Sequence, residues 1–235
     1  MTERKTNMYS ETKIWSVHVG CLFKCIYCRP SFQQQVMRWG KNNCETCYIY
    51  YPHQHPERLN KIPSSKIVFV AGAGDISFCP KEYVIRIIES IGEHNKRCPY
   101  KEYYIQSKDP RCFKPYLNLL PPNVILVTTL ETNRDDGYEK ISKAPKPSKR
   151  FRDFLELDYP RKVVTVEPIM AFDLNTFSDW IKQIRPEYVW IGYNSKPNRV
   201  KLPEPSIEET TQLIETLKAN GIQIRGKDLR GIELG

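Results

Sequence analysis

The stretch Ile14-Trp15-Ser16-Val17-His18-Val19-Gly20-Cys21-Leu22-Phe23-Lys24-Cys25-Ile26-Tyr27-Cys28 runs from an apolar segment directly into three closely spaced cysteines. Residues 14–19 read as a buried strand. The cysteines that follow have the spacing Cys-x3-Cys-x2-Cys, which puts three thiols on one short loop at the strand's end. Without an export signal, such thiols read as metal ligands rather than as disulfide partners. A [4Fe–4S] cluster is normally closed by four cysteines, so a set of three leaves one iron for a ligand from outside the protein. Zinc is the competing reading, because Cys-x2-Cys is also common zinc spacing and two or three of these thiolates could hold it with ligands from elsewhere.

Beyond this loop, short apolar runs alternate with amphipathic helices, the pattern of a parallel sheet wrapped by crossovers. Strands are expected near 14–19, 67–71, 103–106, 124–128, 163–166, 188–191 and 222–224. Several are continuous apolar runs suited to burial on both faces. Val84, Ile87, Ile88 and Ile91 recur at helical spacing, as do Phe177, Trp180, Ile181 and Ile184. Ser206 and Glu209 form a capping box ahead of Leu213, Ile214 and Leu217, and Gly221 marks that helix's stop. Residues 142–149 and 194–205 are Pro-punctuated and basic, and read as loops. The expected fold class is α/β, an incomplete (β/α) TIM-type barrel of about six to seven parallel strands. The 235 residues suit a single domain over 1–235. Active sites of such folds sit at the C-terminal strand ends, where Cys21, Asp75, Lys108, Glu131, Glu167, Asn194 and Lys227 fall.

The Cys-x3-Cys-x2-Cys loop, with aromatic Tyr27 before its last cysteine, resembles the signature of radical S-adenosylmethionine enzymes. That resemblance implies a [4Fe–4S] cluster on Cys21, Cys25 and Cys28. It also implies S-adenosylmethionine (SAM) on the open iron, Tyr27 beside the adenine, an external electron donor and oxygen sensitivity. In Val70-Ala71-Gly72-Ala73-Gly74-Asp75 the glycines let a ligand approach the backbone. Gly72, Gly74 and Asp75 stand where the family carries a Gly-Gly-Glu-like segment that contacts the methionine amine, with Asp shorter than Glu. By the same resemblance, Thr129 and Glu131 fall where ribose hydroxyls are bound, and Asn194 where adenine is met. Val166-Glu167-Pro168-Ile169-Met170, Ser107-Lys108-Asp109-Pro110 and Gly221-Ile222-Gln223-Ile224 are similar to segments of a phage- and archaeon-associated group of radical-SAM-like proteins with no settled chemistry. The Gly-Asp strand end is also similar to the branch of spore photoproduct lyase and DNA-repair-photolyase-like proteins. The implied activity is reductive cleavage of SAM and hydrogen abstraction by the 5′-deoxyadenosyl radical.

Between the first two strands, residues 30–62 form a long insertion containing Cys44-Glu45-Thr46-Cys47 and then His53 and His55. Two cysteines and two histidines provide both zinc ligand types, and a loop of this length often carries an internal staple. Zinc and an auxiliary iron–sulfur cluster are both open. Cys79, Cys98 and Cys112 lack such spacing and read as small core residues. Cys79 and Cys112 carry a reservation: both follow strands on the active face and could donate hydrogen or complete a cluster.

The formal charge of +9 suggests an anionic partner. Lys143, Lys146, Lys149, Arg150 and Arg152 follow the fourth strand, and Lys196, Arg199 and Lys201 the sixth, so both sets are expected on the barrel rim, where nucleic acid or another anionic substrate docks. A zinc-stapled, non-catalytic nucleic-acid-binding protein and an iron–sulfur electron carrier or sensor are the alternatives. No apolar run reaches the ~20 residues that span a bilayer, and the polar start lacks a secretory segment, so a cytoplasmic location without membrane partners is expected.

Overall fold

A computed structural model describes residues 12–227 and 229–234. Its main sheet has seven parallel strands curled into a half-barrel, the incomplete α/β barrel expected. In spatial order these are β1 (Thr12–Trp15), β4 (Ile67–Val70), β6 (Glu102–Gln106), β7 (Val124–Thr129), β8 (Lys162–Val166), β9 (Tyr188–Gly192) and β10 (Ile224–Lys227). Because a strand alternates its side chains between faces, each apolar run supplies two layers. Val68, Val70, Ile105, Leu126, Val164, Val166, Val189 and Ile191 point one way, into the principal core. Phe69, Tyr104, Ile125, Val127, Val163, Tyr188 and Trp190 point the other way and fill the barrel interior as a second cluster.

The principal core is closed by helices whose apolar residues recur at helical spacing. Helix α3 (Lys81–Asn95) contributes Val84, Ile87, Ile88 and Ile91, and α5 (Leu174–Ile184) contributes Phe177, Ile181 and Ile184. Helix α6 (Ile207–Ala219) buries Leu213, Ile214 and Leu217. Each fully buried Ile, Leu or Phe adds about 1.5–3 kcal/mol of transfer free energy. The capping box at Ser206 and Glu209 is formed in both directions. Gly221 (φ +76°) ends α6, and the Ile222 N–H closes onto the Leu217 carbonyl at 3.1 Å. That closure spends Ile222 on the helix end, so the last strand begins at Ile224, two residues later than the apolar pattern suggests.

Two further departures shape the site. The first apolar run breaks at Ser16, giving β1 and a separate β2 (His18–Gly20). β2 leaves the main sheet and lies between β3 (His53–Gln54) and β5 (Ala73–Gly74). Residues 147–155, split in the sequence between a loop and its basic flank, form helix α4 (Pro147–Leu155), with α1 (Gln34–Gly40) and α2 (Glu45–Tyr48) in the insertion. Close backbone contact fixes two glycines. A Cβ on Gly74 would lie 2.5 Å from the Gly20 carbonyl oxygen, and one on Gly20 (φ +95°) would lie 2.5 Å from the Tyr51 backbone. No helix among the described residues is long and apolar enough to cross a membrane.

Candidate active site

At the C-terminal strand ends the half-barrel encloses a cavity of about 400 Å³, within the size range of ligand sites. Cys21, Cys25, Cys28 and Tyr27 line it, together with Gly72, Gly74 and Asp75. Gln106, Lys108, Thr129, Glu167, Asn194 and Tyr50 complete much of the wall. The sequence-derived positions Tyr27, Gly72, Gly74, Asp75, Thr129 and Asn194 are thus brought together with the three thiols.

The cysteine loop leaves β2 at Gly20 and is clamped by residues far away in sequence. The Ile26 N–H donates to the Ile141 carbonyl at 3.0 Å and the Lys143 N–H to the Phe23 carbonyl at 2.7 Å. The Cys25 sulfur lies 3.1 Å from the Ser142 hydroxyl. Phe23, Cys25, Tyr138, Ala144 and Met170 form a small apolar cluster against which Cys21, Tyr27 and Cys28 pack. Burial pushes the Cys28 thiol up to about 11, against the opposing pull of the Lys108 ammonium, and burial raises Cys21 further. All three thiols are free. They are not drawn together about a single ion; among the described residues, the group that is comprises Cys44, Cys47, His53 and His55. Three soft donors spread over one wall of an open, largely apolar cavity suit a multi-iron cluster with an accessible iron.

Asp75 ends the glycine-rich segment and braces it. One carboxylate oxygen accepts the Ser77 N–H at 3.0 Å and the Ser77 and Ser107 hydroxyls at 2.7 Å each, while the other accepts the Lys108 N–H at 2.9 Å. Burial is the largest influence on this carboxyl and raises its pKa against those donors. Thr129 accepts a 2.8 Å hydrogen bond from Gln106. The Asn194 amide holds the following loop, donating to the Val200 carbonyl at 2.8 Å and accepting the Lys196 N–H at 3.0 Å.

Tyr27 and Lys108 of the cavity wall belong to an ionic network centred on the buried Glu131. Its carboxylate accepts from the Lys108 ammonium and the Tyr27 hydroxyl, from the Arg150 guanidinium at 2.7 Å and from the Tyr138 hydroxyl at 3.0 Å. Burial alone raises the Glu131 pKa, but Arg150 and Lys108 outweigh it and hold the carboxyl well below the usual carboxylate range. The Glu131 carboxylate is wholly buried and does not line the cavity, whereas the resemblance implies a ribose contact there. Arg150, expected on the rim, is also wholly buried. Helix α4 turns Pro147, Arg150, Phe151 and Phe154 onto one inward face, an i, i+3, i+4, i+7 pattern legible in the sequence. Cys79 and Cys112 share a separate apolar cavity of about 200 Å³ and do not line the first. The Lys227 side chain lies outside the described residues.

The sequence matches no protein-family model and no curated protein. Solved structures match over most of the chain. A variant of spore photoproduct lyase with dinucleoside spore photoproduct aligns with a TM-score of 0.62 at 12% identity, covering 94% of this chain and 78% of the other. A radical SAM methyltransferase from Sphaerobacter thermophilus gives 0.56 at 13% identity, covering 92% and 66%. SuiB of Streptococcus suis, bound to its precursor peptide SuiA, gives 0.57 at 11% identity, covering 92% of this chain and 48% of SuiB. The chain therefore has the partial-barrel fold of radical S-adenosylmethionine enzymes, spore photoproduct lyase among them.

Proposed function

We propose that this protein is a radical SAM enzyme acting on nucleic acid. The observation that carries the reading is the convergence of Cys21, Cys25 and Cys28 on the cavity at the strand ends, which Gly72 and Gly74 also line. Cys21, Cys25 and Cys28 would hold a [4Fe–4S] cluster beside SAM, and when bound that pair would supply reductive cleavage of SAM and radical abstraction of hydrogen. The chain's own residues prepare the place. The Phe23–Tyr138–Met170 cluster backs the thiols with apolar surface, and such burial tunes cluster potential. Glu131 and Lys108 fix the Tyr27 hydroxyl, so its ring stands as a wall beside the thiols. Asp75 ties the end of β5 to the end of β6 and braces the glycine segment assigned to the methionine group. Thr129 and Asn194 bound the side assigned to the nucleoside.

Charge favours a nucleic acid substrate. Ser195 lines the cavity mouth, and the same loop exposes Lys196, Arg199 and Lys201; Lys24 and Arg29 are exposed on the cysteine loop. The similarity to spore photoproduct lyase, whose structure holds a dinucleoside photoproduct, points the same way. The test is anaerobic turnover with SAM, a reductant and oligonucleotides, reading 5′-deoxyadenosine formation and binding. Changing Lys196, Arg199 and Lys201 to Ala together is expected to weaken single-strand binding and lower the log–log salt slope by about 2, at roughly 0.7 per lost phosphate contact. Oligonucleotide binding that ignores these residues, or turnover indifferent to every oligonucleotide, would overturn the nucleic acid assignment.

A further inference from the structure

We infer that the insertion holds one structural Zn²⁺ ion on Cys44, Cys47, His53 and His55, separate from the cavity thiols. The four ligand atoms all lie within 4.8 Å of one another. His53 Nε2 is 3.5 Å from the Cys44 sulfur and 3.3 Å from the Cys47 sulfur, and His55 Nε2 is 3.3 Å from the Cys47 sulfur. A tetrahedral ion with Zn–S near 2.3 Å and Zn–N near 2.0–2.1 Å sets its sulfur and nitrogen ligands about 3.5 Å apart. The observed edges therefore fit one ion. An iron–sulfur cubane spreads its ligands over different irons and holds them farther apart, so this geometry selects a single ion over an auxiliary cluster.

The outer partners agree. Both rings turn Nε2 to the centre and Nδ1 away: His53 Nδ1 lies 2.7 Å from the Tyr51 carbonyl oxygen and His55 Nδ1 lies 2.9 Å from the Glu57 carboxylate. A carbonyl and a carboxylate on the far nitrogens are the usual orienting partners of zinc-bound histidines. The Cys47 N–H points at the Cys44 sulfur at 3.4 Å, and Cys47 itself is wholly buried. Binding neutral thiols, Zn²⁺ releases two protons and forms two Zn–S and two Zn–N bonds, with no change of oxidation state.

The ion's place explains its use. β3 carries His53 and pairs with Val19 of β2, the strand that runs into Cys21, and the His55 N–H donates to the Val17 carbonyl at 2.8 Å. Tyr50, between Cys47 and His53, is buried in the cavity wall beside the thiols. The zinc staples this insertion to the strand that presents the cysteine loop.

The test uses the full chain with Cys21, Cys25 and Cys28 all changed to Ala, so that only the insertion can take metal. Zinc analysis is expected to give about one ion per chain, the content of one Cys₂His₂ site. Co²⁺ titration of the stripped protein is expected to give intense tetrahedral d–d bands that Zn²⁺ bleaches. Adding Cys44→Ser and His53→Ala is expected to abolish both signals. Absence of zinc with a weak octahedral Co²⁺ spectrum would overturn the site, and so would iron and sulfide bound in zinc's place. Because the stoichiometry and spectrum are measured with the insertion intact, they decide the matter even where the Cys44→Ser variant misfolds. Because the cavity thiols are gone, failure here is distinct from failure of the proposed activity.

Discussion

Cys28→Ala is expected to reduce iron from about four per chain to background after anaerobic reconstitution, because a cubane with two protein thiolates has lost one of its three anchors. SAM cleavage is expected to fall by more than about 100-fold, the loss reached when only a hydrogen-bond partner of a metal ligand is removed. The effect belongs to this thiol and not to cysteine content in general. Cys112 lies in the second cavity with Cys79, and Cys112→Ala is expected to leave iron and 5′-deoxyadenosine formation unchanged. Iron analysis and product quantification on the two variants check the pair. Full iron in Cys28→Ala would remove the cluster from this loop.

The second large effect is expected at Glu131. Its carboxylate is the one acidic ion-pair partner, among the described residues, of the partly buried Lys108 and the wholly buried Arg150. Glu131→Gln keeps the volume but leaves both cations uncompensated, and breaking a buried ion pair costs about 3–5 kcal/mol. For a chain of this size that corresponds to a fall in Tm of about 10 °C. Tyr27 loses its acceptor in the same step, so SAM binding is expected to weaken as well. Replacing Glu131, Lys108 and Arg150 together by Leu and Met is expected to restore much of the stability, since an apolar trio of similar volume has no charges to desolvate. It is not expected to restore SAM binding, because Tyr27 remains unheld. Thermal denaturation and equilibrium SAM binding on the two proteins separate these effects; unchanged stability in Glu131→Gln would show that the network contributes little.

Much of this site was legible in local sequence, and what was missed came from distant segments. The strands read well because burial on both faces demands continuous apolar runs, and α3, α5 and α6 because each buries a single stripe. The thiol triplet lies within eight consecutive residues, so its spacing carried its own meaning. Tyr138 and Ser142 clamp that loop from more than a hundred residues away, and no local pattern marks a Tyr or Ser that will meet Cys25. Arg150 was obscured by composition: in a run of Lys and Arg it looks like solvated charge, although Pro147, Phe151 and Phe154 give the periodicity that turns it inward. Glu131 stands at a strand end where acidic groups commonly face ligands, and the two cations that claim it lie 19 and 23 residues from it in sequence. The division of β1 from β2 was illegible for another reason, since pairing partners, not side-chain pattern, decide where a strand changes sheet.

The central claim is that Cys21, Cys25 and Cys28 hold a cluster with one iron open to SAM. The most direct measurement is the electron paramagnetic resonance spectrum of the anaerobically prepared, reduced protein with and without SAM. The account predicts a [4Fe–4S]⁺ signal that changes shape when SAM is added. A protein that carries zinc but gives no cluster signal, or a cluster whose spectrum ignores SAM, would contradict it.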